Sequence, residues 1–82
     1  MLTSEQVKAA RSLLRWNQEA LAEASGVSLP AIKRLEQMPG QLSALSKTVD
    51  AIVAAFKNAG VDFIDENGGG AGVRCTRPAR EA

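Results

Sequence analysis

The sequence predicts a mainly α protein, a four-helix domain closed by a C-terminal β-hairpin. Three observations carry that prediction. Apolar residues recur at helical spacing as far as Gly60. Thr, Asn and Ser stand ahead of the helical stretches as cap candidates, with Gly or Pro in the breaks between them. After Gly60 the pattern shortens to the alternation of strands around a glycine-rich stretch.

The first helix has Thr3 as its cap, with Gln6 as the reciprocal partner of a capping box. Val7, Ala10, Leu13 and Leu14 supply its apolar points. Asn17 caps a short second helix over residues 18–24, with Ala20, Leu21 and Ala24 as apolar points. Gly26 ends it, because glycine adopts a positive φ without steric penalty. Ser28 caps a third helix, and Pro30 falls in its first turn, where a missing N–H costs nothing. Ile32 and Leu35 point inward. "QMPGQLSALS" is a loop, and Ser46 is the expected cap of helix four. In that helix Val49, Ile52, Val53 and Phe56 follow the i, i+3, i+4, i+7 pattern of an amphipathic face.

"VDFIDE" and "VRCTR" then read as two strands joined by the glycine-rich "NGGGAG". Pro78 ends the second strand. The division is residues 1–60 as a helical domain, 61–77 as the hairpin and 78–82 as a frayed tail.

Composition narrows the function. A chain of 82 residues makes one small domain with a thin core and little room for a deep catalytic cavity. Hydrophobic residues at 45% and charged residues at 23% fit a globular chain rather than a disordered one. No 18-residue apolar run predicts a membrane span, and "MLTSEQVKAA" has no signal-peptide character. A lone Cys75 cannot form an internal disulfide, which fits a reducing cytoplasm.

The net charge of +1 is unevenly spread. Six cations against four carboxylates leave residues 1–48 at +2. Lys57 against Asp50, Asp62, Asp65 and Glu66 leaves residues 49–66 at −3. Three arginines against Glu81 leave residues 67–82 at +2. The two ends attract a polyanion and the middle repels one.

Catalysis finds little support. Without His, Ser–His and Cys–His nucleophile pairs and His-based metal sites are excluded. Asp62, Asp65 and Glu66 lack the spacing of a Ca²⁺ loop and read as a solvated acidic edge. "GGGAG" is followed by a strand-like segment rather than a helix start or a lysine, which argues against a phosphate loop. The chain is expected to be no enzyme and to need no cofactor or metal.

The stretch "QEALAEASGVSLPAIKRLE" is more specific. Counted from Gln18, its fifth, ninth, fifteenth and eighteenth positions are Ala22, Gly26, Ile32 and Leu35. Two helices crossing steeply through a three-residue turn need a small residue at the contact, positive φ in the turn and apolar residues inside the second helix. All four conditions of a helix-turn-helix are met.

With these residues the chain resembles the XRE-type, lambda-repressor/Cro-like family of DNA-binding proteins. The resemblance covers residues 4–59 and is strongest in "NQEALAEASGVSLPAIKRLE". It implies that the second motif helix enters the major groove of double-stranded DNA. It implies a phosphate contact at Gln18, base-facing positions at Ser28, Leu29, Pro30, Lys33 and Arg34, and an ion pair between Arg11 and Glu36. Lys8, Arg15 and Lys47 are further phosphate candidates. Arg34 is the better base reader, because its planar fork matches guanine O6 and N7. Leu29 and Pro30 replace the polar readers of many members, which suggests contact with a thymine methyl group. The implied role is a bacterial-type cytoplasmic regulator, most simply a repressor acting by occupancy.

The ending departs from the usual further helix, although small bacterial proteins of this type carry similar "FIDENGGG" endings. Two strands alone are marginal in water. The hairpin is therefore expected to form a homodimer through Val61, Phe63, Ile64, Val73 and Cys75, with recognition helices roughly 34 Å apart. Two alternatives stay open. The hairpin can fold onto helix four of its own chain, or it can bind a toxin in an antitoxin-like interaction module.

Overall fold

A computed structural model of the chain describes residues 2–64 and 69–75. Among them the chain forms four helices and one two-stranded antiparallel hairpin. α1 spans Ser4–Leu14, α2 Gln18–Ser25, α3 Leu29–Gln37 and α4 Ser46–Asn58. β1 spans Val61–Ile64 and β2 spans Gly72–Cys75. The expected acidic edge at Asp65 and Glu66, the last two residues of the second strand and the tail 78–82 lie outside the described residues.

Three helix starts follow local chemistry. Thr3 is extended, and its Oγ1 accepts the Gln6 N–H at 3.1 Å while Gln6 Oε1 accepts the Thr3 N–H at 3.0 Å. This is the reciprocal capping box. Asn17 Oδ1 accepts the Ala20 N–H at 2.8 Å, and Ser28 Oγ accepts the Ala31 N–H at 3.3 Å. Helix α2 stops at Gly26, whose φ of 77° lets its N–H reach the Ala22 carbonyl at 2.9 Å. Helix α1 instead stops at Arg15, a non-glycine residue held at φ 57°.

The fourth start corrects the sequence expectation. Leu45, not Ser46, is the cap residue, and no side chain bonds its first turn. Ser46 is already helical. The Leu45 carbonyl accepts from Thr48 and Val49, so the turn closes through backbone alone.

The core is built from Val7 and Ala10 of α1, Leu21 of α2, Ile32 and Leu35 of α3, Leu42 of the α3–α4 loop, Ile52, Ala55 and Phe56 of α4, and Val61 of β1. Phe56 is its centre. Trp16 stacks on it at 5.5 Å, and Phe63 meets it edge-on at 5.5 Å and 85°. Two apolar points of the sequence pattern face outward, Leu13 at 45% exposure and Ala24. At both, helical period alone puts the residue beside the core-facing stripe, but no element among the described residues covers it.

The hairpin lies on this helical body. β1 packs on α4 and β2 on α1. The register pairs Val61 with Cys75, Asp62 with Arg74, Phe63 with Val73 and Ile64 with Gly72. Opposed residues share a face, so Val61, Phe63 and Val73 turn toward the helices. Val61 is 1% exposed, and Phe63 and Val73 are half-buried against the core. Within the single chain Val61 is taken into the core and Phe63 and Val73 keep part of their surface open, while Ile64 and Cys75 are exposed. A neutral pin adds to the packing: the Gln6 amide donates to the Ile64 carbonyl at 3.1 Å and the Gly72 carbonyl at 2.9 Å.

The N-terminus is stitched to the α3–α4 loop. Leu42 N–H bonds the Leu2 carbonyl at 3.0 Å, Ser4 N–H bonds the Gly40 carbonyl at 2.9 Å, and the Gly40 N–H bonds the Glu5 carboxylate. The backbone N–H of Glu5 itself, and then that of Gly40, hold the Glu5 carboxyl below its ordinary value. The stitch fixes the loop that leads into α4.

Candidate nucleic-acid interface

Helix α3 presents two faces of opposite chemistry. Ile32, Leu35 and Glu36 are buried, whereas Pro30, Lys33 and Arg34 are exposed. Leu29 is half-buried and Ser28 exposed. Ser28 Oγ is already engaged as the cap of the helix, which leaves its hydroxyl proton for an outside acceptor.

Glu36 is a buried carboxylate, and three groups account for it. Arg11 Nη2 reaches its Oε1 at 2.7 Å and Arg11 Nε reaches its Oε2 at 2.8 Å. Gln18 Nε2 donates to Oε1 at 3.1 Å. The remaining Arg11 terminal nitrogen, Nη1, donates to the Trp16 carbonyl at 3.0 Å. The paired side chains are 19% and 4% exposed. This bidentate fork ties α1, the α1–α2 turn, the start of α2 and the end of α3 into one rigid joint. It fixes the direction in which α3 projects. Gln18, expected as a phosphate contact, spends one amide N–H on this joint and keeps a second donor.

Three of the expected site residues share one concavity. A groove of about 650 Å³ runs between the α2–α3 turn, α3 and the first turn of α4. Ser28, Arg34 and Lys47 line it, with Ser43, Leu45 and Thr48 on the α4 side. The N–H groups of the first turn of α4 have no side-chain cap, and the positive end of the helix dipole lies there. Lys33 stands exposed on α3 outside the groove lining. Lys8 and Arg15 are exposed on α1 and its C-terminal cap, away from this groove.

Sequence reasoning missed Leu45. It is 71% exposed, the most exposed of the large apolar residues described, and lines the groove together with Arg34 and Lys47. Its place in a loop between serines is the signal that marked it as non-core. The arrangement offers backbone donors at a helix start, exposed cations and one exposed apolar side chain. Among the described residues no group of three His, Cys, Asp or Glu side chains is placed to hold a metal. No helix there is long and apolar enough to cross a membrane. Comparison with protein-family models and with curated proteins returns no match for this chain, so its functional reading rests on the geometry of α3 and the groove beside it.

Proposed function

We propose that this chain is a sequence-specific duplex-DNA-binding regulator of the XRE-type, lambda-repressor-like kind, with α2 and α3 as its helix-turn-helix. Its simplest mode of action is repression by occupancy, as a homodimer on a palindromic site. One observation carries the reading. Helix α3 is locked from behind by the Arg11–Glu36 fork and faces outward with Lys33 and Arg34, beside a groove edged by Ser28 and Lys47. A helix meant only to fill a core has no need of a rigid, cationic outer face next to an uncapped helix start.

In this reading Arg34 and Lys33 reach base edges, and the Leu29 side chain meets a thymine methyl group. Pro30 and Ser28 lie at the same leading end of the helix. Lys47, the first N–H groups of α4 and the free amide donor of Gln18 hold phosphates on either side. Lys8 and Arg15 add longer-range attraction along the flanking backbone.

Selection from random duplex DNA, followed by titration of the enriched site, tests the proposal. Arg34→Ala is expected to cost about 1–3 kcal/mol on that site and to relax preference at one base pair. Lys47→Ala is expected to weaken all sequences alike and to flatten the dependence on salt. Selection that enriches no sequence, or an Arg34→Ala variant with unchanged preference, overturns the reading.

A further inference from the structure

A second groove, of about 410 Å³, lies on the other side of α4. Val61, Asp62 and Phe63 all line it. Successive strand residues point to opposite faces, so a groove that touches all three runs along the strand's edge. One wall is Val49, Val53 and Lys57, spaced i, i+4, i+8 as one stripe of α4, and Leu2, Gln6 and Gln41 complete the lining. Both valines are half-buried.

The edge of β1 is open. β1 pairs with β2 alone, and no backbone bond to another element engages Val61–Ile64 among the described residues. Native proteins blunt such edges with very short strands, charged side chains, proline, bulges or a covering element. β1 is short and carries the charge of Asp62, but it has no proline and no bulge along its four-residue register.

We infer that the groove and the edge together form the interface with a second copy of this chain. The two β1 strands pair antiparallel across a twofold axis, which makes a four-stranded sheet with the two α4 helices antiparallel beneath it. Keeping Phe63 on the helical side of both halves leaves two compact registers. An axis at Asp62 sets two carboxylates opposite each other, which is repulsive. An axis at Phe63 sets Asp62 opposite the partner's Ile64 and brings the half-buried phenyl rings together. The second register is the one inferred.

Charge on α4 points to the same occupant. Asp50 and Lys57 flank the valine stripe at opposite ends, both exposed, and neither has an ion-pair partner among the described residues. Antiparallel packing about Val53 carries each Lys57 toward the partner's Asp50. A foreign strand brings no such reciprocity. The inference rests on the paired-copy part of the proposed function and not on DNA recognition.

Sedimentation equilibrium of the full chain without DNA tests it. The native chain is expected to sediment at twice the chain mass. Lys57→Glu alone, or Asp50→Lys alone, is expected to weaken the dimer about tenfold, since each turns two attractions into repulsions. Combining the two is expected to restore it. The two positions are seven residues apart, about 10 Å along the helix axis, so the rescue cannot come from a pair within one chain. Both residues are exposed, and circular dichroism is expected to show unchanged helix content in all variants. A native chain that stays monomeric into the high micromolar range, a dimer untouched by Lys57→Glu, or a double variant no better than the single ones overturns the inference. Arg34→Ala leaves the mass unchanged if the interface is as inferred, so failure of DNA recognition and failure of pairing are read separately.

Discussion

Helix α1 is pinned to the rest of the molecule at two places, and the two pins differ in kind. Five residues apart on the same helix, Arg11 holds α3 through Glu36, and Gln6 holds the hairpin through the Ile64 and Gly72 carbonyls. The first pin is a buried, fully forked ion pair. The second is a neutral amide across a strand pair whose outer residues reach solvent. A charge in a dry site is costly when left alone, whereas a carbonyl near water finds a replacement donor. The two regions should therefore fail differently. Losing the first loosens the proposed recognition helix, and losing the second loosens the sheet and leaves α3 in place.

The sharpest way to break this contrast is Arg11→Met. It strands the Glu36 carboxylate, and the expected loss of stability is about 3–5 kcal/mol at neutral pH. Urea unfolding gives the value, and DNA affinity is expected to fall with it. If the loss is under about 1 kcal/mol, the two pins are not different in kind. Replacing both partners, Arg11→Met with Glu36→Leu, should recover most of the loss, because no charge is then left unpaired.

Gln6→Ala comes next. It removes two bonds to the hairpin and one arm of the capping box, for an expected loss of about 2 kcal/mol. Hydrogen exchange should rise in β1 and β2 before it rises in α3. Equal acceleration in both would show that the two pins are one cooperative unit.

A smaller effect of opposite sign is expected at Ser4. Its Oγ is fully buried and has no hydrogen-bond partner among the described residues. Ser4→Ala removes an unsatisfied polar atom and supplies a better helix former, so stability should rise by up to about 1 kcal/mol. A lowered urea midpoint would instead reveal a bond that the hydroxyl makes.

The smallest expected effect is a pH dependence at the Glu5 stitch. The folded state holds this carboxyl below its ordinary value, through backbone N–H donors of its own turn and of Gly40. The folded pKa is depressed, so the contribution is full above the unfolded pKa. It is lost as the pH falls through the folded value. Glu5→Gln should therefore lower stability slightly at neutral pH, leave it unchanged at low pH, and so flatten the acid limb of the stability profile. A profile whose acid limb is unaltered would remove Glu5 from the account.

Much of the helical body was legible in advance because its causes are local. Thr3 with Gln6, Asn17 and Ser28 each mark a helix start by a bond three residues long, and Gly26 marks a stop by its free φ. The Arg11–Glu36 pair was expected from family resemblance and is present in the structure. Its additional partners, Gln18 and the Trp16 carbonyl, were not foreseen. Leu13 shows the limit from the other side, since period alone cannot say which residues at the margin of an apolar stripe are covered.

The sequence by itself determined the element types, their order and most of their ends, because dihedral preference and capping act within a few residues. Tertiary structure alone decided that Val61 would complete the helical core, that Trp16 would stack on Phe56, and that Gln6 would bond carbonyls 58 and 66 residues away. Those outcomes depend on which surfaces meet once the chain is compact. A side chain such as Gln6 carries the same donors wherever it goes, and only the closed fold decides which acceptors it finds.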